Sequence, residues 1–433
     1  MKLGFALDEM FRNLKRNNSA LRYVAAQLAA KAMAAVAQLY AIYVFSQILP
    51  PSDAALIFIL FGYAIWIQVF EFGLSQVIQN ALNLKIITVS GACRIISLHY
   101  ALMIFLAALV VIFPEGLYLF QGEQRVHVED VNALAFPLGV ALLLVSTNNV
   151  LVQRLLLVAN RAMAASKLVF FQGFFCVLML FVLNWCGASL FESVFFYLSI
   201  PIFTFAPLAL KIAGKARRNR KKLIVDWQWV VSNAIGFWGL TTMSSLYLGV
   251  DYFYAARHLA NEEMIAYHFS SRLFFISFVP YFAYVQFKAK SIASEICFMH
   301  PQQIWVVVKG SIVIGVLSVL LVFVGTIWID WSGGLEMIGA HGLLVIPLII
   351  SAALYYCVRV FRDVGLVIVW NLGRQRMLYA VHMLEVVLCL LLLNVLEPDL
   401  GGKEIFFAMA SVAALSAAVI YVLLGRALRR SSR

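Results

Sequence analysis

Residues 211–226, KIAGKARRNRKKLIVD, concentrate seven basic side chains, Lys211, Lys215, Arg217, Arg218, Arg220, Lys221 and Lys222, in a chain that is otherwise strongly apolar. Long hydrophobic runs lie on both sides of this segment, and the number on each side decides the architecture. Of 433 residues, 63% are hydrophobic and 12% are charged, and the mean hydropathy is +0.91. A soluble domain uses about a quarter of its residues as charges, so the solvent implied here is a bilayer. The net charge of +12 does not signal nucleic acid, because the basic residues gather at the ends of apolar runs, where they set membrane topology.

A hydrocarbon core about 30 Å thick requires roughly 20 apolar residues per helix. Such runs recur at 20–48, 54–78, 95–113, 133–158, 165–184 and 190–211 before the basic segment, and at 228–250, 265–287, 304–328, 342–370, 377–396 and 404–425 after it. The expected fold is therefore all-α, a polytopic membrane protein of about twelve transmembrane helices. An even number of helices in each half starts both on the same side, so a repeat would be parallel. Two six-helix lobes around a central cavity follow from that symmetry, with one continuous bundle as the alternative. The divisions expected are a cytoplasmic amphipathic segment (1–19), an N-terminal lobe (20–213), a basic cytoplasmic linker (214–226), a C-terminal lobe (227–425) and a basic tail (426–433).

Short cytoplasmic loops hold the Lys and Arg excess, and here it alternates. One side receives Lys85, Arg94, Arg161, Lys167, the 211–222 run, Lys288, Lys290, Arg374, Arg376, Arg426, Arg429, Arg430 and Arg433. The other has Arg125, Arg257 and Lys403, with acids that include Asp53, Glu123, Asp251, Glu263, Asp330 and Asp399. Both termini are thus expected in the cytoplasm. Leu3, Leu7, Met10 and Leu14 recur at helical spacing beside Lys2, Arg12, Lys15 and Arg16, the pattern of a helix lying on the membrane surface. The six cysteines are scattered without a CxxC pair, so neither a disulfide framework nor a metal site is expected. The sequence has no phosphate-binding GxxxxGK[ST] loop and no HExxH pair, which argues against an ATP-driven pump and a metallohydrolase.

Ionisable groups inside spans are costly and face protein or water. Lys31, Glu71, Arg154, Arg272, Arg359, Arg362, Asp363, His382 and Glu385 fall there. Basic groups predominate, and guanidinium forks match phosphate oxygens, so Lys31, Arg154, Arg272, Arg359 and Arg362 are candidates for binding an anionic cargo. Glu71, Asp363 and Glu385 are candidates for a coupling cation. Pairing along a helix is the competing role for Arg359 with Asp363 and for His382 with Glu385, snorkelling for Arg154, and a cross-helix pair with Glu71 for Lys31. Pro201, Pro207, Pro280 and Pro347 predict kinks, while the polar runs in the fourth span (Ser146–Asn149) and the seventh (Thr241–Ser245) predict protein-facing surfaces.

Phe70-Glu71-Phe72-Gly73-Leu74-Ser75 resembles the acidic-x-Gly-Leu-Ser stretch of the polysaccharide-transporter branch of the multidrug/oligosaccharidyl-lipid/polysaccharide exporter superfamily, which includes Wzx-type O-antigen flippases. Here the acid is Glu71 where Asp is commoner, and Gln76–Asn80 lacks the basic residue that often follows. The resemblance implies two lobes in a V and alternating access, moving an undecaprenyl-diphosphate-linked oligosaccharide between leaflets of a bacterial inner membrane with a proton or sodium gradient. It leaves a polysaccharide polymerase and a chain-length regulator as candidate partners, with membrane lipid as surroundings, and implies neither cofactor nor nucleic acid. A multidrug-type antiporter, a membrane-embedded polymerase or ligase, and a scaffold for glycan assembly are the alternatives.

Overall fold

All regular structure among the described residues is helical, as the hydropathy pattern requires, because only helices satisfy every backbone group within a single spanning segment. The computed structural model describes residues 18–114, 134–159, 161–218, 225–281, 284, 301–332, 345–371, 375–396 and 400–431. The helices are α1 (Asn18–Ile48), α2 (Pro51–Ile67), a 3-10 turn (Gln68–Glu71), α3 (Leu74–Asn83), α4 (Val89–Ile112), α5 (Ala135–Ser146), α6 (Asn148–Val158) and α7 (Ala162–Cys186). They continue as α8 (Leu190–Arg218), α9 (Trp227–His258), α10 (Asn261–Ile276), α11 (Pro301–Trp331), α12 (Ile346–Asn371), α13 (Gln375–Leu396) and α14 (Gly402–Ser431). The amphipathic segment before Asn18, residues 219–224 of the basic linker, and Arg125, Lys288, Lys290 and Arg374 lie outside the described residues.

Nine helical segments among the described residues are long and apolar enough to cross a bilayer. Their outer faces present bare hydrocarbon, with Leu321 on α11 73% exposed and Val395 on α13 76% exposed. Water does not tolerate contiguous apolar surface of that extent, so the chain is a multi-pass membrane protein. Three further helices, α9, α10 and α12, fall short. The described part of α10 has 16 residues, α9 is diluted by Ser, Thr, Asn and Gly, and every 18-residue stretch of α12 contains Arg359, Arg362 and Asp363. These three polar helices are the ones that build the site described below.

Several boundaries differ from expectation. The second span is not one helix over 54–78: α2 tightens into the 3-10 turn, Phe72 (φ 53°) and Gly73 (φ 67°) are left-handed, and α3 starts afresh. The Glu71 carboxylate accepts the Ser75 N–H at 2.9 Å and so satisfies a first-turn donor of α3. A Cβ on Gly73 would lie 2.6 Å from the backbone N of Trp238 and 2.8 Å from the backbone C of Phe237. Backbone meets backbone there, in a conformation costly for a side-chain-bearing residue. Gly73→Ala combines left-handed strain of about 1–2 kcal/mol with an overpacking cost of about 1–3 kcal/mol, and should lower the melting temperature of the purified protein. Gly325→Ala, where the added methyl meets nothing within 4 Å, should melt with the parent chain.

Pro347 does not kink a helix. It is the second residue of α12, in the first turn, where its missing N–H has no helical partner to lose. The polar run of the fourth span is largely self-satisfied: Ser146 Oγ, Thr147 Oγ1 and Asn148 Nδ2 donate to the carbonyls of Leu143, Leu144 and Val145. The chain turns from α5 to α6 at Thr147. Asp251, assigned above to the exported face, is buried, because α9 continues to His258 instead of ending near residue 250.

Packing among the earlier helices recurs among the later ones. α1 packs on α7 as α9 packs on α13, and α4 packs on α5 as α11 packs on α12. The contacts of α5 with α8, α7 with α8 and α2 with α5 have counterparts in α12 with α14, α13 with α14 and α10 with α12. Where the two sets meet, α2 lies against α9 and α10, and α3 with the 3-10 turn lies against α9. The Trp66 indole donates to Gly249 O at 3.1 Å across that seam.

Candidate functional site

Helical periodicity aligns the charges of α12. Arg359 and Asp363 are one turn apart and pair at 3.2 Å (Nε to Oδ2), as the i, i+4 spacing predicts. Arg362 is stitched across helices: its Nε and Nη2 donate to the two oxygens of Glu385 on α13 at 2.6 and 2.7 Å, and its Nη1 donates to Asp363 Oδ1 at 2.6 Å. His382 Nδ1 lies 2.7 Å from Glu385 Oε2. The Arg362 guanidinium also stacks 4.3 Å from the centroid of the Tyr247 ring on α9. With side-chain exposures of 2% for Arg362 and 0% for Glu385, this bidentate fork is a closed structural pair.

Arg359 is different. Its guanidinium lies 4.9 Å from the Phe278 ring centroid and 5.7 and 5.8 Å from those of Tyr356 and Tyr355, an aromatic cradle that holds a cation by ring electrostatics. It keeps 12% side-chain exposure. Asp363 Oδ2 also accepts from Tyr281 Oη at 3.3 Å, so two arginines balance two carboxylates within the cluster. The preponderance of positive charge read from the sequence does not survive folding at this point.

Asp251 supplies the open valence. Tyr267 Oη donates to its Oδ2 at 2.8 Å, while Oδ1 is buried with no hydrogen-bond partner among the described residues. Arg359 and Arg272 lie within electrostatic range of this carboxylate. Arg272 is half-buried on α10 and donates Nη2 to Phe61 O on α2 at 3.2 Å. One turn earlier, His268 Nδ1 lies 2.9 Å from Tyr252 Oη and its ring stacks 4.8 Å from Phe58. Arg272 thus links α2 at the seam to the α9–α10–α12 charge cluster. A buried carboxylate with one oxygen unpaired among the described residues, within electrostatic range of two guanidinium groups, can exchange a proton or a small cation.

The folded chain thus gathers Arg272, Arg359, Arg362, Asp363 and Glu385 around α12. Lys31, Arg154 and Glu71 sit elsewhere. Lys31 is half-buried near the midpoint of α1, and Arg154 is half-buried on α6 within electrostatic range of the helix-capping Glu71. His99, not singled out above, is buried between α4 and α6: Nδ1 faces Asn148 Oδ1 at 2.6 Å and Nε2 faces Phe70 O at 2.8 Å. That carbonyl is part of the helix break, so His99 ties it to the neighbouring span. Two residues missed by sequence reading had a signal: His99 is a lone imidazole inside an apolar run, and Asp251 stands with Tyr247 and Tyr254 at i, i+4, i+7 spacing along one helix face.

No family model and no curated protein matches this chain. Solved structures do match in fold. The lipid II flippase MurJ in an inward closed conformation superposes with a TM-score of 0.68 at 12% identity, covering 92% of this chain and 86% of that one. An inward-facing multidrug resistance MATE family transporter of the MOP superfamily gives 0.67 at 12%, covering 94% and 99%. A MOP superfamily transporter from Pyrococcus furiosus, described as having a reversed binding-pocket polarity, gives 0.63 at 11%, covering 96% of both chains. Identities this low show a shared fold.

Proposed function

We propose that the chain is a flippase of the MOP fold that moves an undecaprenyl-diphosphate-linked oligosaccharide from the inner to the outer leaflet of a bacterial inner membrane by alternating access. Twelve spans with both termini in the cytoplasm, and two six-helix lobes joined by the basic segment, are the architecture of this reading. The recurrent packing of α1–α8 in α9–α14 supports it, as does the alternation of Lys and Arg among the loops. A polysaccharide polymerase and a chain-length regulator act on the product.

The observation that carries the reading is Arg359, a guanidinium held between aromatic rings and kept partly exposed, which with Arg272 lies within electrostatic range of the Asp251 carboxylate. Arg359 and Arg272 neutralise the diphosphate and acidic sugars, Lys31 and Arg154 extend the basic path in the other lobe, and Arg362 is restricted to holding Arg359's partner Asp363. Coupling to an ion gradient falls to Asp251 more readily than to Asp363 or Glu385, whose oxygens are already engaged by arginine, or to Glu71, which caps α3. In a strain lacking the chromosomal copy, Arg359→Ala and Arg272→Ala are expected to abolish surface polysaccharide while the protein stays in the membrane at its normal level. Normal polysaccharide in both variants contradicts the reading. A small-molecule antiporter is the second reading, favoured by the same open Asp251 oxygen among tyrosines. It predicts drug resistance lost with Asp251→Asn and polysaccharide untouched.

A further inference from the structure

We propose that a groove between α4 and α9 holds the isoprenoid chain of the cargo, with its phosphate-bearing head at Arg94. This rests on the lipid-linked reading above and adds where the tail docks. The groove is a cavity of about 290 Å³ with almost wholly apolar walls, formed by Leu98 and Leu102 on α4 and Val231, Ile235 and Trp238 on α9, and floored by Phe72. It lies beside the break in the second span, lined by Phe72 and Leu74 from the two sides of Gly73. Its walls open outward, Leu98 being 52% and Ile235 62% exposed. In a membrane-spanning chain that opening faces hydrocarbon.

Charge selects the occupant. Arg94 is exposed on α4 one turn before Leu98 and two before Leu102, so a cation heads the same stripe that forms the wall. At a rise of about 1.5 Å per residue, the distance from Arg94 to Leu102 along the helix is about 12 Å. The acid nearest this end of α9, Asp226, is engaged in capping the helix, where it accepts the Trp229 N–H at 3.0 Å. A single hydrocarbon chain with an anionic head fits a stripe that is apolar along its length and cationic at one end. The phosphate-bearing head engages Arg94 first, while the tail seats in the groove, and Arg359 and Arg272 afterwards.

The test uses the full chain, purified in detergent and examined by native mass spectrometry with undecaprenyl phosphate and, separately, phosphatidylglycerol. The wild type should retain one polyprenyl phosphate. Leu98→Trp, Ala234→Trp and Arg94→Gln should each reduce that retention about tenfold or more, whereas Leu321→Trp on the outer face of α11 should not. Arg94→Gln is a surface change that leaves the fold intact, so its result stands even if a groove-filling variant unfolds. Unchanged retention in Arg94→Gln and Leu98→Trp overturns the groove and leaves the cargo reading standing. No retention by the wild type overturns both. Equal retention of phosphatidylglycerol, lost in the same variants, makes this a phospholipid site and overturns the isoprenoid assignment.

Discussion

Glu385→Gln should unfold the protein at a markedly lower temperature than any exposed substitution. Glu385 is fully buried, and both its oxygens are held by Arg362, one of them also by His382. Removing its charge leaves the Arg362 guanidinium buried with only Asp363 to balance it, while Asp363 already serves Arg359. Breaking one partner of such a pair costs about 3–5 kcal/mol, whereas replacing both partners with apolar residues is often near neutral. Arg362→Met with Glu385→Leu should therefore melt closer to the parent than Glu385→Gln alone, with a coupling of about 1–3 kcal/mol in a double-mutant cycle. Thermal denaturation of the detergent-solubilised protein measures it. Equal melting of Glu385→Gln and the parent would show that the fork does not hold α12 to α13.

The opposite pattern is expected at Asp251. Its carboxylate is held by the Tyr267 hydroxyl and not by a guanidinium fork, and one oxygen has no hydrogen-bond partner among the described residues. An incompletely paired buried charge is unfavourable, so Asp251→Asn keeps the Tyr267 contact, removes the desolvation cost and should leave the melting temperature unchanged or raised. Transport should nevertheless collapse, by about a hundredfold or more if the coupling ion exchanges at this oxygen, equivalent to roughly 2.7 kcal/mol on the rate-limiting step. Ion-driven accumulation in proteoliposomes is the measurement. Stability retained with transport lost assigns Asp251 to function; transport retained removes it from the coupling path.

The contrast between these two acids shows what could be read before folding. Nine apolar helices long enough to span were legible because the hydrocarbon core imposes a length. The Arg359–Asp363 and His382–Glu385 pairs were legible because they are local to one helix. The Arg362–Glu385 fork was not, since it joins residues 23 positions apart on different helices, and nothing in one sequence fixes the rotation of α12 against α13. The break at Phe72–Gly73 was hidden inside an apolar run: only the approach of α9 at Phe237 and Trp238 makes Gly73 obligatory there. Asp251 was misplaced because an acid after an apolar run reads as a loop residue, although its helical register with Tyr247 and Tyr254 carries the true signal.

The same comparison changes the reading of charge. Counting basic residues in spans suggests a cationic cavity, but folding neutralises Arg362 completely and Arg359 in part. What remains for an anionic cargo is Arg359 and Arg272 around Asp251, a narrower claim than the sequence invited. That claim is tested most directly by reconstituting the purified protein in vesicles that carry a lipid-linked oligosaccharide in one leaflet and following its exposure on the other with an impermeant glycan-cleaving enzyme. The account predicts rapid exposure with the wild type and none above the protein-free rate with Arg359→Ala. Exposure at the protein-free rate with the wild type, or at the wild-type rate with Arg359→Ala, would contradict it.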